Sequence, residues 1–442
     1  MKRVSIGSFL VSAVCLLVAG CGGGKGSSSL APQQPAGSQG SQSYTYIGTE
    51  GADASDNTST FASNFAFGGT WSLTLDDTTK YFSYENIGHS GYEGINGIGS
   101  WEFPTAEPTV GTSGGSGFMS LNATSGTKTG AVGYALEVPG DAALLRPGSD
   151  TVAPVIAVET SGCPTVSTPT TYQFISFGTP LPTDKNTHVA YGSVQASNSG
   201  TAWTFNNYNM YTFAGTSLSP TALPIGNCGY TQLGYAVNIQ PMEYTFAVSP
   251  SGYFLLDQDQ GDPANGPPTG NTASYGATGP LGLVGVVQPS SAINTGSLVG
   301  GKYLGIEFDP VDLTLHRGAS QPVAFGQTTG SGTVMTGGAF PNDDVTQTPP
   351  SNITIDLGQQ DSSNNGLYKN VTVTVPDTYV ACVSLPFGGT DANGNPTCTF
   401  HGVAVAGNPN GKFVLFVTVN DVSLTISHYA ADAALEFFLY QQ

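Results

Sequence analysis

The chain has 442 residues, of which only 9% are charged, and 30 acidic residues outweigh 11 basic ones to give a formal net charge of −19. This acidic balance argues against nucleic-acid binding, because the phosphate backbone is itself an anion. The chain also contains 60 Gly, 20 Tyr and 22 Phe. Such a composition is typical of exported all-β proteins, whose surfaces consist mainly of Ser, Thr, Asn, Gln and Gly.

The N-terminus has the pattern of an export signal. Lys2 and Arg3 supply positive charge, and an apolar run over residues 4–19 follows them. This run is shorter than the roughly 20 residues of a membrane-spanning helix. We therefore predict a signal peptide over residues 1–20 that is removed from the mature protein.

Residues 18–21 read Val-Ala-Gly-Cys, a small-residue cleavage site followed by a cysteine. This segment resembles the lipobox of bacterial lipoproteins. The resemblance implies that the Cys21 thiol is lipidated and that its acyl chains hold the protein on a membrane. Gly22 stands next instead of Asp, which in this family implies the outer membrane, on either its periplasmic or its extracellular face. The alternative is a plain secretory signal cleaved near Gly20.

The segment after the cysteine is of low complexity. Residues 22–43 are nearly all Gly, Ser, Gln, Ala and Pro, which bury too little apolar surface to form a core. We predict that residues 21–43 are the lipidated cysteine and a flexible tether, with an end-to-end distance on the order of 25 Å.

From Tyr44 onward, apolar and polar residues alternate in short runs rich in β-branched and aromatic side chains. A period of two predicts half-buried antiparallel strands. We predict hairpin turns at residues 248–253 and 406–412 and short helices near residues 290–299 and 429–434. The clearest strand candidates are residues 71–75, 172–177, 201–205, 370–375 and 412–419.

The strand pattern also repeats along the chain. Residues 172–177, 189–192 and 199–201 are echoed in the same order by residues 303–308, 323–326 and 331–333, with a fainter copy from residue 44. The repeat predicts three diverged modules, at residues 44–161, 162–300 and 301–442, each a small barrel or a sandwich of about seven or eight strands. The alternative is a six-bladed β-propeller, which would place residues 44–50 beside the C-terminal strand.

Three segments, at residues 159–165, 249–256 and 285–292, look like a group of uncharacterised proteobacterial lipoproteins. The resemblance covers most of the mature chain. It implies a cell-envelope lipoprotein, and it implies no activity because that group supplies no catalytic motif.

Four cysteines remain once the signal and the lipidated residue are set aside, and an oxidising compartment allows three pairings of them. We favour the nearest-neighbour pairing, in which the second disulfide closes a loop of roughly 15 residues and restricts the unfolded chain by about 3 kcal/mol. A zinc site is disfavoured because no Cys-x-x-Cys occurs. The favoured disulfides are Cys163–Cys228 and Cys382–Cys398.

Asp257, Asp259 and Asp262 follow a predicted strand, and carboxylates two residues apart in a turning loop can converge on Ca²⁺. The segment lacks the distal Glu of an EF-hand loop, so we favour a polar hairpin loop over a calcium site. No other cofactor is expected.

The catalytic motifs in the sequence are weak, and we assign no catalytic residue. The Gly-x-Ser-x-Gly match at residues 111–115 lies in a Gly-rich loop without the strand and helix of a hydrolase elbow. The leading hypothesis is a non-enzymatic envelope lipoprotein that binds an unknown protein or glycan, or contributes to envelope architecture. The alternative is a carbohydrate-active hydrolase with an unrecognised carboxylate pair, for which Glu85, Glu93 and Glu102 are candidates.

The aromatic residues are candidates for a sugar-binding face. Trp203 occupies an alternating strand position, where we expect core packing instead of ligand stacking. The run over residues 208–211, which ends at Tyr211, is less regular and is the better candidate for a binding surface.

Overall fold

The structure is a computed structural model that describes residues 43–50, 53–54, 65–66, 70–88, 96–104, 117–127, 129–147, 154–159, 165–177, 190–199, 202–212, 217–218, 226–227, 229–233, 242–259, 281–312, 317–326, 332–376, 388–420 and 434–442. Antiparallel strands dominate these ranges, which confirms the predicted all-β class. Within the same ranges, no helix has the length and apolar character needed to cross a membrane.

The first module is a closed barrel. Its eight strands follow one another around the ring, and the first strand pairs with both the second and the last barrel strand. A separate two-stranded sheet, β2–β3, lies in the same module. The strands are β1 (Ser43–Glu50), β2 (Asp53–Ala54), β3 (Phe65–Ala66), β4 (Thr70–Asp76), β5 (Tyr81–Gly88), β6 (Asn96–Glu102), β7 (Phe118–Gly126), β8 (Gly130–Val138), β9 (Ala142–Pro147) and β10 (Val155–Glu159).

The second module is a curled sheet with the same order of neighbours. Its first strand lies beside its last, and short strands extend one edge. The strands are β11 (Thr170–Phe177), β12 (Ala190–Ser199), β13 (Ala202–Thr212), β14 (Ser217–Leu218), β15 (Gly226–Asn227), β16 (Gly229–Leu233), β17 (Met242–Val248), β18 (Tyr253–Asp259) and β19 (Leu281–Val287).

The third module is a second closed eight-stranded barrel, completed by pairing of β24 with β26, while β25 pairs outside the ring. The helix α1 (Thr295–Val299) precedes it, and a 3-10 helix spans Pro341–Asp343. The strands are β20 (Tyr303–Asp312), β21 (Arg317–Phe325), β22 (Val334–Ala339), β23 (Ile353–Asp356), β24 (Leu367–Pro376), β25 (Gly388–Thr390), β26 (Pro396–Gly407), β27 (Val414–Asn420) and β28 (Ala434–Gln441).

The three modules share one topology. In each, neighbouring strands are joined in sequence order, and the last strand pairs with the first: β10 with β1, β19 with β11, and β28 with β20. The propeller alternative is wrong, because β1 pairs within its own module and β28 pairs with β20 and β27. Among the described residues, the ladders close the first and third modules into barrels, whereas the second module is a curled sheet whose ordered path ends at β14 and β16.

Strand alternation gives each module its own interior. On β4, Trp71, Leu73 and Leu75 are buried in the first barrel, and the residues between them are partly exposed. Similar alternation fills the other modules with clusters built around Phe174 in the second and Val373 in the third. Side chains of opposite parity therefore point away from these interiors.

Many of these outward side chains are buried as well, because the modules pack against one another. A single apolar cluster combines Ile156 of the first module, Leu255 of the second and Phe416 of the third. Strands at this contact are buried on both faces, and all five residues of β10 are buried. This explains the continuous apolar runs near the end of each module, since a strand covered on both sides has no reason to alternate.

The hairpin turns predicted at residues 248–253 and 406–412 are confirmed. The predicted helix near residues 290–299 is confirmed in its second half by α1, which Asn294 caps by accepting a hydrogen bond from Ser297 N. The helix predicted near residues 429–434 is wrong at its last residue, since Ala434 begins β28 and pairs with Asn420, and the rest of it lies outside the described residues.

Candidate functional site

A cavity of about 420 Å³ lies between the second and third modules. Its volume falls within the roughly 300–1,000 Å³ typical of small-molecule sites. Strands β11, β12 and β13 form one wall, and the start of β24 with the loop before it forms the other. The lining residues are Gln173, Tyr191, Gly192, Ser193, Tyr211, Asn364, Leu367 and Lys369.

Gln173 is the most unusual residue of this lining. Its neighbours Tyr172 and Phe174 point into the module interior, so Gln173 points outward toward the third module. It is nevertheless only 1% exposed, and neither Oε1 nor Nε2 has a hydrogen-bond partner among the described residues. Leaving a buried polar group unpaired costs about 1–3 kcal/mol, so this amide is an unused donor and acceptor at the cavity.

Two tyrosines form the aromatic part of the wall. Tyr191 and Tyr211 are directly opposite each other on β12 and β13, and their rings stack with centroids 5.7 Å apart and planes inclined by 27°. Tyr191 is buried, and burial raises the pKa of its hydroxyl, whereas Tyr211 is partly exposed. The better binding candidate of the sequence, Tyr211, thus lines the cavity.

An irregularity in the β12–β13 ladder lies next to the cavity. The register shifts after Ser193, and Asn207 adopts a left-handed conformation with φ of 47°. Asn tolerates this region better than most residues, and its Nδ2 donates to Gln195 Oε1 at 2.6 Å. Such β-bulges change strand direction locally and are frequent beside binding sites.

The positive charge of Lys369 is balanced by the carboxylate of a neighbouring residue. Its Nζ lies 2.6 Å from Asp361 Oδ2, and this hydrogen bond raises the pKa of the Lys369 ammonium. Burial raises the pKa of Asp361, but hydrogen bonds from Lys369, Ser363 N and Asn364 outweigh it and lower that pKa overall. Both groups are therefore ionised near neutral pH, and their charges cancel.

Hydrogen bonds from side chains to the backbone hold the loop that carries Asn364 in place. Gln360 Oε1 accepts from Gly366 N at 2.5 Å and from Ile293 N at 3.2 Å, and its Nε2 donates to Ile293 O at 3.0 Å. Asn365 Nδ2 donates to Pro289 O at 3.1 Å. These bonds tie the loop to the segment that joins the second and third modules, so this wall of the cavity is pre-organised.

A second buried polar group lies in the first barrel, away from the cavity. Glu137 is 2% exposed and accepts a 2.5 Å hydrogen bond from the Tyr46 hydroxyl. Burial, followed by the negative charge of Asp77, raises the pKa of Glu137 to about 8. This carboxyl group is therefore mostly protonated at neutral pH.

Several predicted site residues lie outside the described residues. These are Cys21 with the lipobox, Glu93, Asp262, the segment at residues 111–115, and three of the four disulfide candidates, Cys163, Cys228 and Cys382. Cys398 lies on β26, fully buried in the core of the third barrel. The disulfide pairing therefore stays a prediction.

The backbone at the candidate calcium site differs from the expectation of a turning loop. β18 continues through Asp257 and Asp259, because Asp257 pairs with Thr245 and Gly282 and Asp259 pairs with Glu243. Among the described residues, no three His, Cys, Asp or Glu side chains are grouped so that they could hold a metal ion. With Asp262 outside those residues, the calcium site stays a prediction.

The described members of the candidate acid pair are far apart. Glu85 pairs with Asn96, and Glu102 lies six residues further along β6, which at about 3.3 Å per residue is about 20 Å. Glycosidase carboxyl groups lie roughly 5 to 10 Å apart, so Glu85 and Glu102 are not such a pair. Trp203 is fully buried, as expected for core packing.

Gln173 and Lys369 are not distinguished by any motif in the sequence. Gln173 is a polar residue at an outward strand position, which ordinarily indicates solvent exposure. Only the packing of the third module over β11 reveals that it is buried. The sequence feature that did indicate a binding surface here is the irregular run of residues that ends at Tyr211.

The fold and the cavity define an all-β protein of three meander modules with a polar site where two modules meet. No family model matches the chain, and no curated protein matches it. Solved structures similar to it include a mutant and a double mutant of the vaccine antigen Transferrin Binding Protein B from Haemophilus parasuis Hp5. These align over 91% of this chain and 76% of theirs, with 8% and 10% identity and TM-scores of 0.28 and 0.27. Intact Ap-TbpB, with its N and C lobes, aligns over 91% of this chain and 77% of its own, with 11% identity and a TM-score of 0.25. TM-scores this low do not establish a shared fold or function.

Proposed function

We propose that the protein is a non-enzymatic lipoprotein of the outer membrane that binds a small polar ligand in the cavity between its second and third modules. The lipobox-like segment at residues 18–21 and Gly22 support the location, and the low-complexity residues 22–43 would serve as the tether.

The observation that carries the binding proposal is the buried amide of Gln173. A leucine of similar size at this position would avoid the cost of an unpaired amide, and an apolar wall would be more stable. A ligand that donates to Oε1 and accepts from Nε2 would offset that cost. The partly exposed ring of Tyr211 and the fixed loop at Asn364 would supply further contacts.

Binding is tested on full-length protein in a detergent without a sugar head group, so that the detergent does not compete. Saturation-transfer NMR is recorded with three ligand classes, namely neutral methyl glycosides, charged sugars such as glucuronate, and free amino acids. At least one class is expected to bind the wild type and to be lost in Gln173→Leu.

The matched control is Thr418→Val. Thr418 is also fully buried, its Oγ1 has no hydrogen-bond partner in the described part of the chain, and it does not line the cavity. Both variants remove an unpaired polar group and should fold with equal or greater stability, but only Gln173→Leu should lose binding. Absence of binding for all three classes, or equal binding by both variants, would overturn the proposal.

Anchoring is tested separately by intact-mass spectrometry of protein isolated from its native envelope. The proposal expects an acylated N-terminal cysteine, with acylation abolished in Cys21→Ser. A bare thiol at Cys21 in the wild type would contradict the anchor without affecting the cavity.

A further inference from the structure

The chemistry of the cavity wall indicates a ligand class. We propose that the cavity takes a neutral carbohydrate, one or two sugar residues long, with its hydroxyl groups on the Gln173 amide and its apolar face against Tyr211. This inference rests on the proposed binding function and specifies its ligand.

The charge of the cavity lining favours a neutral ligand. Among the described lining residues, Lys369 is the one whose side chain is charged at neutral pH. Its Nζ lies 2.6 Å from Oδ2 of its partner Asp361. An anionic ligand would have to compete with Asp361, and a cationic ligand would meet no unmatched carboxylate in that lining. A neutral ligand avoids both costs.

The hydrogen-bonding groups of the cavity wall favour a ligand with several hydroxyl groups. The Gln173 amide presents an acceptor and a donor side by side, and Ser193 is its direct partner on β12, adding a hydroxyl to the same wall. Neighbouring sugar hydroxyls, each able to donate and accept, match this arrangement. A purely apolar ligand would leave the amide unpaired and would gain nothing from Ser193.

The aromatic part of the wall and the size of the cavity favour a sugar ring. Tyr191 stacks on one face of Tyr211 with ring centroids 5.7 Å apart, which holds the Tyr211 ring in place and leaves its opposite face as the one that a ligand could cover. The C–H face of a pyranose packs well on a tyrosine ring, because the face of the aromatic ring is apolar and carries partial negative charge. A cavity volume of about 420 Å³ is suited to one or two sugar residues and is too small for a long segment of polypeptide.

The test is isothermal titration calorimetry of full-length protein in the same detergent, with the methyl β-glycosides of glucose, galactose and N-acetylglucosamine and with cellobiose. At least one is expected to bind with an affinity that changes less than twofold between 50 and 500 mM NaCl, since a neutral ligand has no charge to screen. Gln173→Leu and Tyr211→Ala are each expected to weaken binding at least tenfold. Thr418→Val should bind as the wild type does.

The outcomes separate this inference from the proposed function. If only glucuronate or an amino acid binds, or if affinity falls steeply with salt and in Lys369→Gln, the cavity is a binding site but not for a neutral sugar, and the inference is overturned. If sugar binds equally well to Gln173→Leu and Tyr211→Ala, it binds elsewhere, which also overturns it. If no class of ligand binds, the proposed function is contradicted, and this inference is overturned with it.

Discussion

Asp141 of the first module accepts a 2.5 Å hydrogen bond from Oγ of Ser251 in the second module. Asn410 of the third module donates to the other carboxylate oxygen at 3.1 Å. The three residues occupy equivalent turns, each between the third-last and second-last barrel or sheet strand of its module. One buried carboxylate therefore joins corresponding points of all three modules.

Replacing Asp141 should weaken this junction. Asp141→Ala removes the acceptor of Ser251 Oγ and N and is expected to lower the free energy of unfolding by about 1–3 kcal/mol. In a double-mutant cycle with Ser251→Ala, measured by urea denaturation, the two losses should be less than additive because they remove the same bond. Asp391→Ala is the control, since the carboxylate of Asp391 is exposed and bonds within its own turn. A loss no larger than in that control, with strict additivity, would contradict the role of the junction.

Glu137 should make stability depend on pH. Its raised pKa, about 8, means that the folded state holds a proton that the unfolded state releases near pH 4.5. Between those values the folded protein binds more protons, so the free energy of unfolding should fall as pH rises, by up to about 1.4 kcal/mol per pH unit. Glu137→Gln keeps a neutral group beside Tyr46 and should flatten this slope in urea melts from pH 5 to pH 9. The exposed control Glu102→Gln should retain it, and an unchanged slope in Glu137→Gln would count against the assignment.

Gln360 should hold the cavity loop. Gln360→Leu removes the bonds to Ile293 and to Gly366 N and is expected to cost about 1–3 kcal/mol in thermal or urea unfolding. Hydrogen exchange of the amides at residues 361–366 should accelerate, because their anchor is lost. The neighbouring Gln359→Ala, at an exposed position, serves as the control and should change neither quantity. Equal exchange in both variants would show that the loop is held by other contacts.

The predicted disulfide Cys382–Cys398 is accessible to a direct test. Cys398→Ala and Cys382→Ala should each cost about 3 kcal/mol, the value for a closed loop of roughly 15 residues, plus a small cavity cost at the buried Cys398. The double variant should lose little more than either single one. Peptide mapping without reduction should recover the two cysteines linked, and recovery of Cys382 joined to Cys163 or Cys228 would refute the pairing.

The fold was largely predictable because strand alternation is a local property. Runs such as residues 71–75 show the interior face directly, and the echo between residues 172–177 and 303–308 marks the first long strand of two modules, β11 and β20. Closure of the first and third modules into barrels was not predictable, because it depends on the pairing of β1 with β10 and of β24 with β26. Strand ends were also uncertain: β18 runs through Asp257 and Asp259 since pairing with β17 continues past the apolar residues.

The site was harder to predict because it belongs to two modules at once. Gln173 and Lys369 are distant in sequence, and each by itself has the pattern of a solvent-facing residue. Burial of Gln173 follows from module packing, which alternation within β11 does not encode. Tyr211 was identifiable because its strand is irregular, and that irregularity is the bulge at Asn207.

The sugar site at Gln173 is tested most sharply by a crystal structure of the protein with a methyl glycoside that binds in solution. The expected result is sugar density in the cavity, with hydroxyl oxygens within about 3.2 Å of both Oε1 and Nε2 of Gln173 and a pyranose face against Tyr211. Density for the sugar at another place, with the Gln173 amide still unpaired or bonded only to water, would contradict it.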